Sequence, residues 1–281
     1  MDEALRDAYE ACRRLHRRHD PTYYWATRRL PADVRPATHA LYGYVRTADE
    51  LVDGPGRSTD PGVRRAALDD WEAELDRGLA GGRSTHPIVG ALVDAGERHD
   101  LPLEELKTYM GSMRIDCGPV RIGSQDELDA YMDGSAGTVG RIMATLLRVP
   151  DRHRGDFGRL GQAFQLTNFL RDVREDRALG RVYLPGVEPE ALDTPTATPE
   201  IRAVVAQEVC RARGLFDDCE PAIASAPTSI KPGIRLACGI YRRVLDRVEA
   251  SGFDVVGGRT RPRAWELAPA VASAVTPRRA A

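Results

Sequence analysis

Two groups of carboxylates stand apart from the other acids of this chain by their surroundings. In Arg46-Thr47-Ala48-Asp49-Glu50-Leu51-Val52-Asp53, Asp49 and Asp53 close a helical pattern whose preceding turns, Ala40-Leu41-Tyr42-Gly43-Tyr44-Val45, are apolar and aromatic. In Gln165-Leu166-Thr167-Asn168-Phe169-Leu170-Arg171-Asp172-Val173-Arg174-Glu175-Asp176, the residues Asn168, Asp172 and Asp176 fall at i, i+4 and i+8 and make one polar stripe beside Phe169, Leu170 and Val173. Four helical residues rise about 6 Å and point both side chains the same way. Carboxylates set in apolar helices are costly unless paired or metal-bound. Mg²⁺ takes hard oxygen ligands, usually one or two protein carboxylates together with substrate phosphates. Two acidic helix ends facing across a bundle would therefore hold such ions around a diphosphate. The competing reading is that each group only salt-bridges Arg46, Arg171, Arg174 or Arg181.

Spacing by itself decides little. With 42 acids in 281 residues, about six i, i+4 acidic pairs arise by chance. The run Asp69-Asp70-Trp71-Glu72-Ala73-Glu74 reads as one of these, a solvated helix face. Two embedded pairs in one helical chain favour the metal.

The elements that must carry these residues read as all-α, because apolar positions recur at helical spacing and alternating runs are scarce. Helices are predicted over 2–19, over about 36–52 with Pro36 in the first turn, and over 60–80, 86–98 and 102–114. Ser124 and Glu127 form a capping box for a helix reaching about Leu147. A long helix follows over 152–179, then one from the Thr198-Pro199 cap to about Cys219, and others near 229–250 and 263–275, with 276–281 as a frayed tail. With no repeat, low-complexity block or clear linker, the chain is read as one helical domain over 1–281.

Composition removes several function classes. The net charge of −2 supplies no positive field for nucleic-acid binding and no acidic solvating tail. Five cysteines without a CxxC pair give no zinc spacing and fit a reducing, cytoplasmic setting. The N-terminus lacks a signal-peptide pattern and no run of about 18 apolar residues occurs. Arg13, Arg14, Arg17 and Arg18 form a basic face that reads as solvated, with peripheral contact to an anionic membrane as the competing reading.

The two acidic segments, the second continued by Gly180-Arg181-Val182-Tyr183-Leu184-Pro185, resemble the aspartate-rich signatures of the squalene and phytoene synthase family. Tyr131-Met132-Asp133-Gly134-Ser135-Ala136-Gly137-Thr138-Val139-Gly140 resembles its glycine-containing central helix, in detail that of actinobacterial phytoene synthases. The resemblance runs from about Thr22 to Arg261. It implies a class I isoprenoid synthase bundle around a deep apolar cavity, with Asp49, Asp53, Asp172 and Asp176 as catalytic metal-site carboxylates and Asn168 beside them. It further implies Arg46, Asn168, Arg171, Arg181 and Tyr183 as diphosphate contacts, guanidinium forks being suited to phosphate. Tyr42, Gly134, Gly137 and Gln165 are expected in the cavity wall. The glycines read either as close helix packing or as a break admitting a prenyl chain, the second being favoured.

Two departures qualify the match. The family's early serine, basic residue, serine or threonine, aromatic signature stands here as Asp20-Pro21-Thr22-Tyr23, with proline at the basic position. Asp133-Gly134 replaces tyrosines found in many relatives.

The reaction the resemblance implies is Mg²⁺-dependent (or Mn²⁺-dependent) head-to-head condensation of two geranylgeranyl diphosphates to phytoene through prephytoene diphosphate. No GxGxxG occurs and no nicotinamide cofactor is expected. The competing readings are squalene or hydroxysqualene formation from farnesyl diphosphate, cyclisation of one prenyl diphosphate, and a non-catalytic assembly protein.

Overall fold

The computed structural model describes residues 3–258, 260 and 261. The predicted helix at 263–275 and the tail at 276–281 lie outside the described residues. The helices are α1 Glu3–His19, α2 Pro21–Thr27, α3 Arg35–Asp53, α4 Pro61–Gly81, α5 Pro87–His99, α6 Glu105–Ile115, α7 Gln125–Met132, α8 Thr138–Leu146, α9 Arg154–Ala178, α10 Pro199–Asp218, α11 Glu220–Ser225 and α12 Lys231–Ala250. Among the described residues the only strands are β1 Val120–Arg121 and β2 Arg181–Val182, a two-residue parallel pair. The all-α expectation holds, and most predicted helix ends fall within a few residues of the observed ones.

Local chemistry explains the starts. Asp20, Asp60, Ser124 and Thr198 each cap a helix by accepting a hydrogen bond from a backbone N–H of its first turn. Pro21, Pro61, Pro87 and Pro199 sit in first turns, where a missing N–H costs nothing. Ser124 Oγ accepts from the Glu127 N–H at 3.2 Å, and the Glu127 carboxylate reaches back one residue beyond the cap, accepting from the Gly123 N–H at 2.7 Å.

The core is one continuous cluster running through these helices. α3, α5 and α1 pack together on one side, and α8, α9, α10 and α12 on the other. Leu41, Tyr44, Leu68, Leu92, Leu106 and Met110 are fully buried in it, and truncating one such leucine to alanine costs about 2–5 kcal/mol. Tyr44 stacks on Trp71 with centroids 5.1 Å apart.

Three features were not foreseen in the sequence. Asp20-Pro21 starts a short helix, α2. The helix expected from 125 to 147 is broken by a π-helical turn, Asp133–Gly137, a form that concentrates at functional sites. The long helix α9 leaves helical geometry at Asp172 (φ −108°, ψ 17°).

Candidate active site

The last turns of α3 present Arg46, Asp49, Glu50 and Asp53, and Gly54 turns the chain away. A Cβ at Gly54 would stand 2.5 Å from the Glu50 carbonyl oxygen, so this exit admits only glycine. Asp49 Oδ1 accepts a hydrogen bond from the Tyr109 hydroxyl of α6 at 2.9 Å. Even so, burial lifts the Asp49 carboxyl to about 6. Arg46 and His19 both reach Glu50 Oε1, each at 3.1 Å, and Arg46 Nε is buried without a partner.

α9 supplies Asn168, Arg171, Asp172 and Asp176. The kink at Asp172 places its carboxylate against its own neighbour: Arg171 Nε and Nη2 donate to it at 2.9 and 2.5 Å. Arg261 adds a third contact to Asp172 at 3.1 Å and also meets Glu175 at 3.1 Å. Among the described residues Asp176 has no such pairing. Burial, and next the negative charge of Asp172, raises it to about 8.

β1 and β2 tie the two acidic ends together. Val120 N donates to Gly180 O and Ile122 N to Val182 O, which holds the segment after α9 beside the segment after α6. Arg181 then donates from Nη2 to Asp53 Oδ1 at 2.5 Å and to the Asp116 carbonyl at 2.6 Å. Its charge also acts on Asp176. A buried guanidinium thus links the first motif to the second.

Asp116 is the residue that motif reading missed. It is 6% exposed, accepts hydrogen bonds from Tyr131 and from Tyr183 (2.8 Å), and is lifted to about 6 by burial. No acid lies four positions from it. The signal open to inspection was an aspartate ending an apolar helix just before Gly118-Pro119.

Behind the acids lies an apolar cavity of about 330 Å³. Tyr23, Ala26, Thr27 and Leu30 line it from α2 and its exit, Tyr42 and Val45 from α3, Phe164, Gln165 and Asn168 from α9, and Ile234 and Tyr241 from α12. Tyr42 and Gln165 stand in the wall as expected. Gly134 and Gly137 do not line it. A Cβ on Gly134 would meet Ser112 Oγ at 2.2 Å and one on Gly137 would meet Asp133 Oδ1 at 2.5 Å, so both serve close packing. The π-helical turn reaches the cavity through Ser135 and Ala136 instead, followed by Val139 and Gly140. The Tyr183 hydroxyl donates to Asp116 and its ring stacks on Phe169 at 4.1 Å.

The donors fit a divalent hard cation shared with phosphate. Asp49, Asp116 and Asp176 are all pushed up as carboxylates crowded into a poorly solvated space. Asn168 Oδ1 is a buried oxygen without a partner. Among the described residues no three carboxylate, histidine or cysteine side chains converge tightly enough to hold an ion alone. A hard cation held here would take one or two of these carboxylates and complete its shell with phosphate oxygens. The absent basic residue of the early signature has a local cause: Pro21 occupies the first turn of α2 and Asp20 caps it.

This bundle, with acids at its mouth and an apolar interior, is the architecture of a class I isoprenoid synthase. Residues 16–266 match the squalene/phytoene synthase family, and the chain belongs to that family. It is 35% identical to a phytoene synthase of Thermus thermophilus over 275 residues, covering 95% of this chain and 92% of the relative. It is 33% identical to a phytoene synthase of Arthrospira platensis, covering 92% and 90%. Its fold matches a ligand-bound dehydrosqualene synthase (TM-score 0.85, 22% identity, 96% of each chain). It also matches a squalene synthase of Alicyclobacillus acidocaldarius (TM-score 0.78, 27% identity, 90% and 97%). The protein is an enzyme of the prenyltransferase type.

Proposed function

We propose that the protein is a phytoene synthase that joins two geranylgeranyl diphosphates head to head with Mg²⁺ as cofactor. The observation that carries this reading is an apolar cavity lined by Tyr42 and Val45 of α3 and by Gln165 and Asn168 of α9, the two helices whose last turns carry Asp49, Asp53, Asp172 and Asp176, in a chain similar along its length to named phytoene synthases. Mg²⁺ bound at these helix ends would supply neutralising charge to the leaving diphosphate. Asp49 and Asp53 from α3 and Asp172 and Asp176 from α9, with Asn168 beside them, would hold it. Arg46, Arg171 and Arg181 border the same mouth and would contact diphosphate oxygens.

In the first half-reaction the allylic C–O bond of one substrate breaks, the double bond of the second attacks, and a proton leaves. The products are the cyclopropane prephytoene diphosphate and one diphosphate. The second ionisation releases the other diphosphate, and rearrangement with loss of a proton gives phytoene, so no reductant is consumed. Phe164, Ile234, Leu160 and Met143 keep water from the cationic carbons, while the acids stay at the rim.

The test is incubation with Mg²⁺ and geranylgeranyl or farnesyl diphosphate, separately and without reductant, followed by product mass analysis. A C40 hydrocarbon is the expected result. A cyclic C20 or C15 product overturns condensation, and failure to consume either substrate overturns catalysis.

A further inference from the structure

One carboxylate folds the segment that leaves α12 back on the start of α10. Asp254, 7% exposed, accepts at Oδ1 from the backbone N–H groups of Ala197 (2.8 Å), Val256 (3.2 Å) and Gly257 (2.8 Å), and its Oδ2 meets Arg202 Nη2 at 3.1 Å. Arg202 grips both ends of the same fold: Nε donates to Ala197 O at 3.0 Å and Nη1 to Gly252 O at 2.5 Å. Gly252 and Phe253 enter the turn at φ +66° and +59°, and a bulky residue holds that left-handed conformation only where its surroundings enforce it. A Cβ on Gly257 would stand 2.3 Å from Pro195 O, and one on Gly258 would stand 2.1 Å from Asp254 O. Both contacts are with backbone atoms that cannot swing aside. The course of the chain over 254–258 is therefore fixed.

What this fold delivers lies two residues further on. Thr260 Oγ1 donates to Arg171 O at 2.7 Å. Arg261 Nη2 meets Asp172 Oδ1 and Glu175 Oε1, each at 3.1 Å. These contacts surround the one interior residue of α9 that leaves helical geometry, Asp172. A side chain bonded into the ladder of backbone hydrogen bonds is a physical cause of a helix kink, and this kink sets how Asp172 and Asp176 stand to one another.

We propose that Asp254 is a positioning residue for the carboxylates of α9: clamped by Arg202, it aims Thr260 and Arg261 at the kink and so holds Asp172 and Asp176 in the pose that takes Mg²⁺ with diphosphate. What the carboxylates bind rests on the function proposed above. That Asp254 sets the kink does not, because the path from Asp254 to Asp172 is made of this chain's own contacts.

The first measurement uses the full chain without metal or substrate. Hydrogen exchange read by mass spectrometry should show the amides of 172–178, the end of α9, exchanging about tenfold faster in Asp254→Ala than in wild type. Asp254→Asn keeps one acceptor oxygen for the N–H groups and loses the charge that holds Arg202, so it should fall between the two; it carries the same test where the alanine variant does not fold. Thr260→Val lies outside the turn and should speed the same amides. Adding Asp254→Ala to it should then change little, because both substitutions break one path.

The second measurement is diphosphate release from geranylgeranyl diphosphate, which is read whatever hydrocarbon forms. Asp254→Asn should raise the Mg²⁺ concentration for half-maximal rate about tenfold and leave the rate at saturating Mg²⁺ within about twofold. A merely structural role would lower the rate at every Mg²⁺ concentration alike. Exchange at 172–178 that is unchanged in the Asp254 variants, or additive effects of Asp254→Ala and Thr260→Val, overturns the proposal. Faster exchange with unaltered Mg²⁺ dependence overturns its link to the carboxylates. A wild type that releases no diphosphate overturns the proposed function instead, and the exchange result still decides whether Asp254 sets the kink.

Discussion

At the scale of single residues, the site depends on a division of labour among acids that formal charge does not reveal. Asp172 is held by two arginines, whereas Asp176, one turn on, has burial and a like charge against it. Asp172→Asn removes a carboxylate while preserving shape, so Mg²⁺-dependent turnover should fall on the order of a hundredfold or more with thermal unfolding little changed. Near-normal turnover would remove Asp172 from the metal site. Asp116 acts through others: it fixes the hydroxyls of Tyr131 and Tyr183, and its backbone carbonyl fixes Arg181. Asp116→Asn keeps one of the two acceptor oxygens but loses the charge, and should lower apparent Mg²⁺ affinity about 10- to 100-fold, as losses around metal ligands do. A Mg²⁺ titration of initial rate is the readout, since a merely structural role would lower the rate at every Mg²⁺ concentration alike.

At the scale of elements, the π-helical turn and α9 are set by contact between backbones. A Cβ on Gly140 would stand 2.2 Å from the Phe157 carbonyl oxygen, and one on Gly161 would stand 2.3 Å from that of Ala136. These are backbone atoms that cannot swing aside. Gly140→Ala should therefore destabilise by about 1–3 kcal/mol, seen as a lowered melting temperature, even though alanine is the better helix former. An unchanged melting temperature would show that α8 and α9 slide apart freely. The same elements show what the sequence made legible. The 3.6-residue period and the caps at Ser124 and Thr198 located the long helices because these signals are local. The π-helical turn, the kink at Asp172 and the role of Asp116 were not legible, since each depends on groups far along the chain: Ser112 against Gly134, Arg261 on Asp172, Tyr183 on Asp116. The aspartate motifs were legible as acids at the ends of α3 and α9. Their bridging by Arg181 was not, because β1 and β2 are too short to leave a pattern of alternation.

At the scale of the whole molecule, the same bundle must hold a crowd of acids and a dry chamber, and both leave a mark on stability. Ligands that bind the folded chain and not the unfolded one raise its stability by mass action. Mg²⁺ with inorganic diphosphate should raise the melting temperature by more than the two added separately, because neither fills the mouth alone. Equal shifts would mean the carboxylates bind the ion without phosphate. The chamber's support responds to pH in the opposite sense from its acids. His16 and His39 are buried behind Tyr42 and Tyr24, with Nδ1 atoms 2.9 Å apart, so one ring donates and the other accepts, and the two rings cannot both be protonated without losing that bond. Burial lowers His16 to about 3 and His39 to about 4, with the neighbouring His39 adding to the shift of His16 and Arg13 and Arg35 to that of His39. Each folded value lies below the ordinary 6.5, so the unfolded chain binds protons first. The stability held by the pair is complete above about pH 6.5 and is lost as pH falls toward 4 and 3. Between pH 7 and pH 5 the loss is about 1–2 kcal/mol per histidine, whereas the raised carboxyls Asp49, Asp116 and Asp176 work the other way over that range. Comparison with His16→Asn/His39→Asn separates the two, because asparagine keeps a donor and acceptor at the δ position but cannot take the proton. The change in urea midpoint from pH 7 to pH 5 should be more favourable in that variant than in wild type, because only the carboxyls' opposing contribution remains. Equal pH dependence in both proteins would show that the two rings are hydrated and titrate normally.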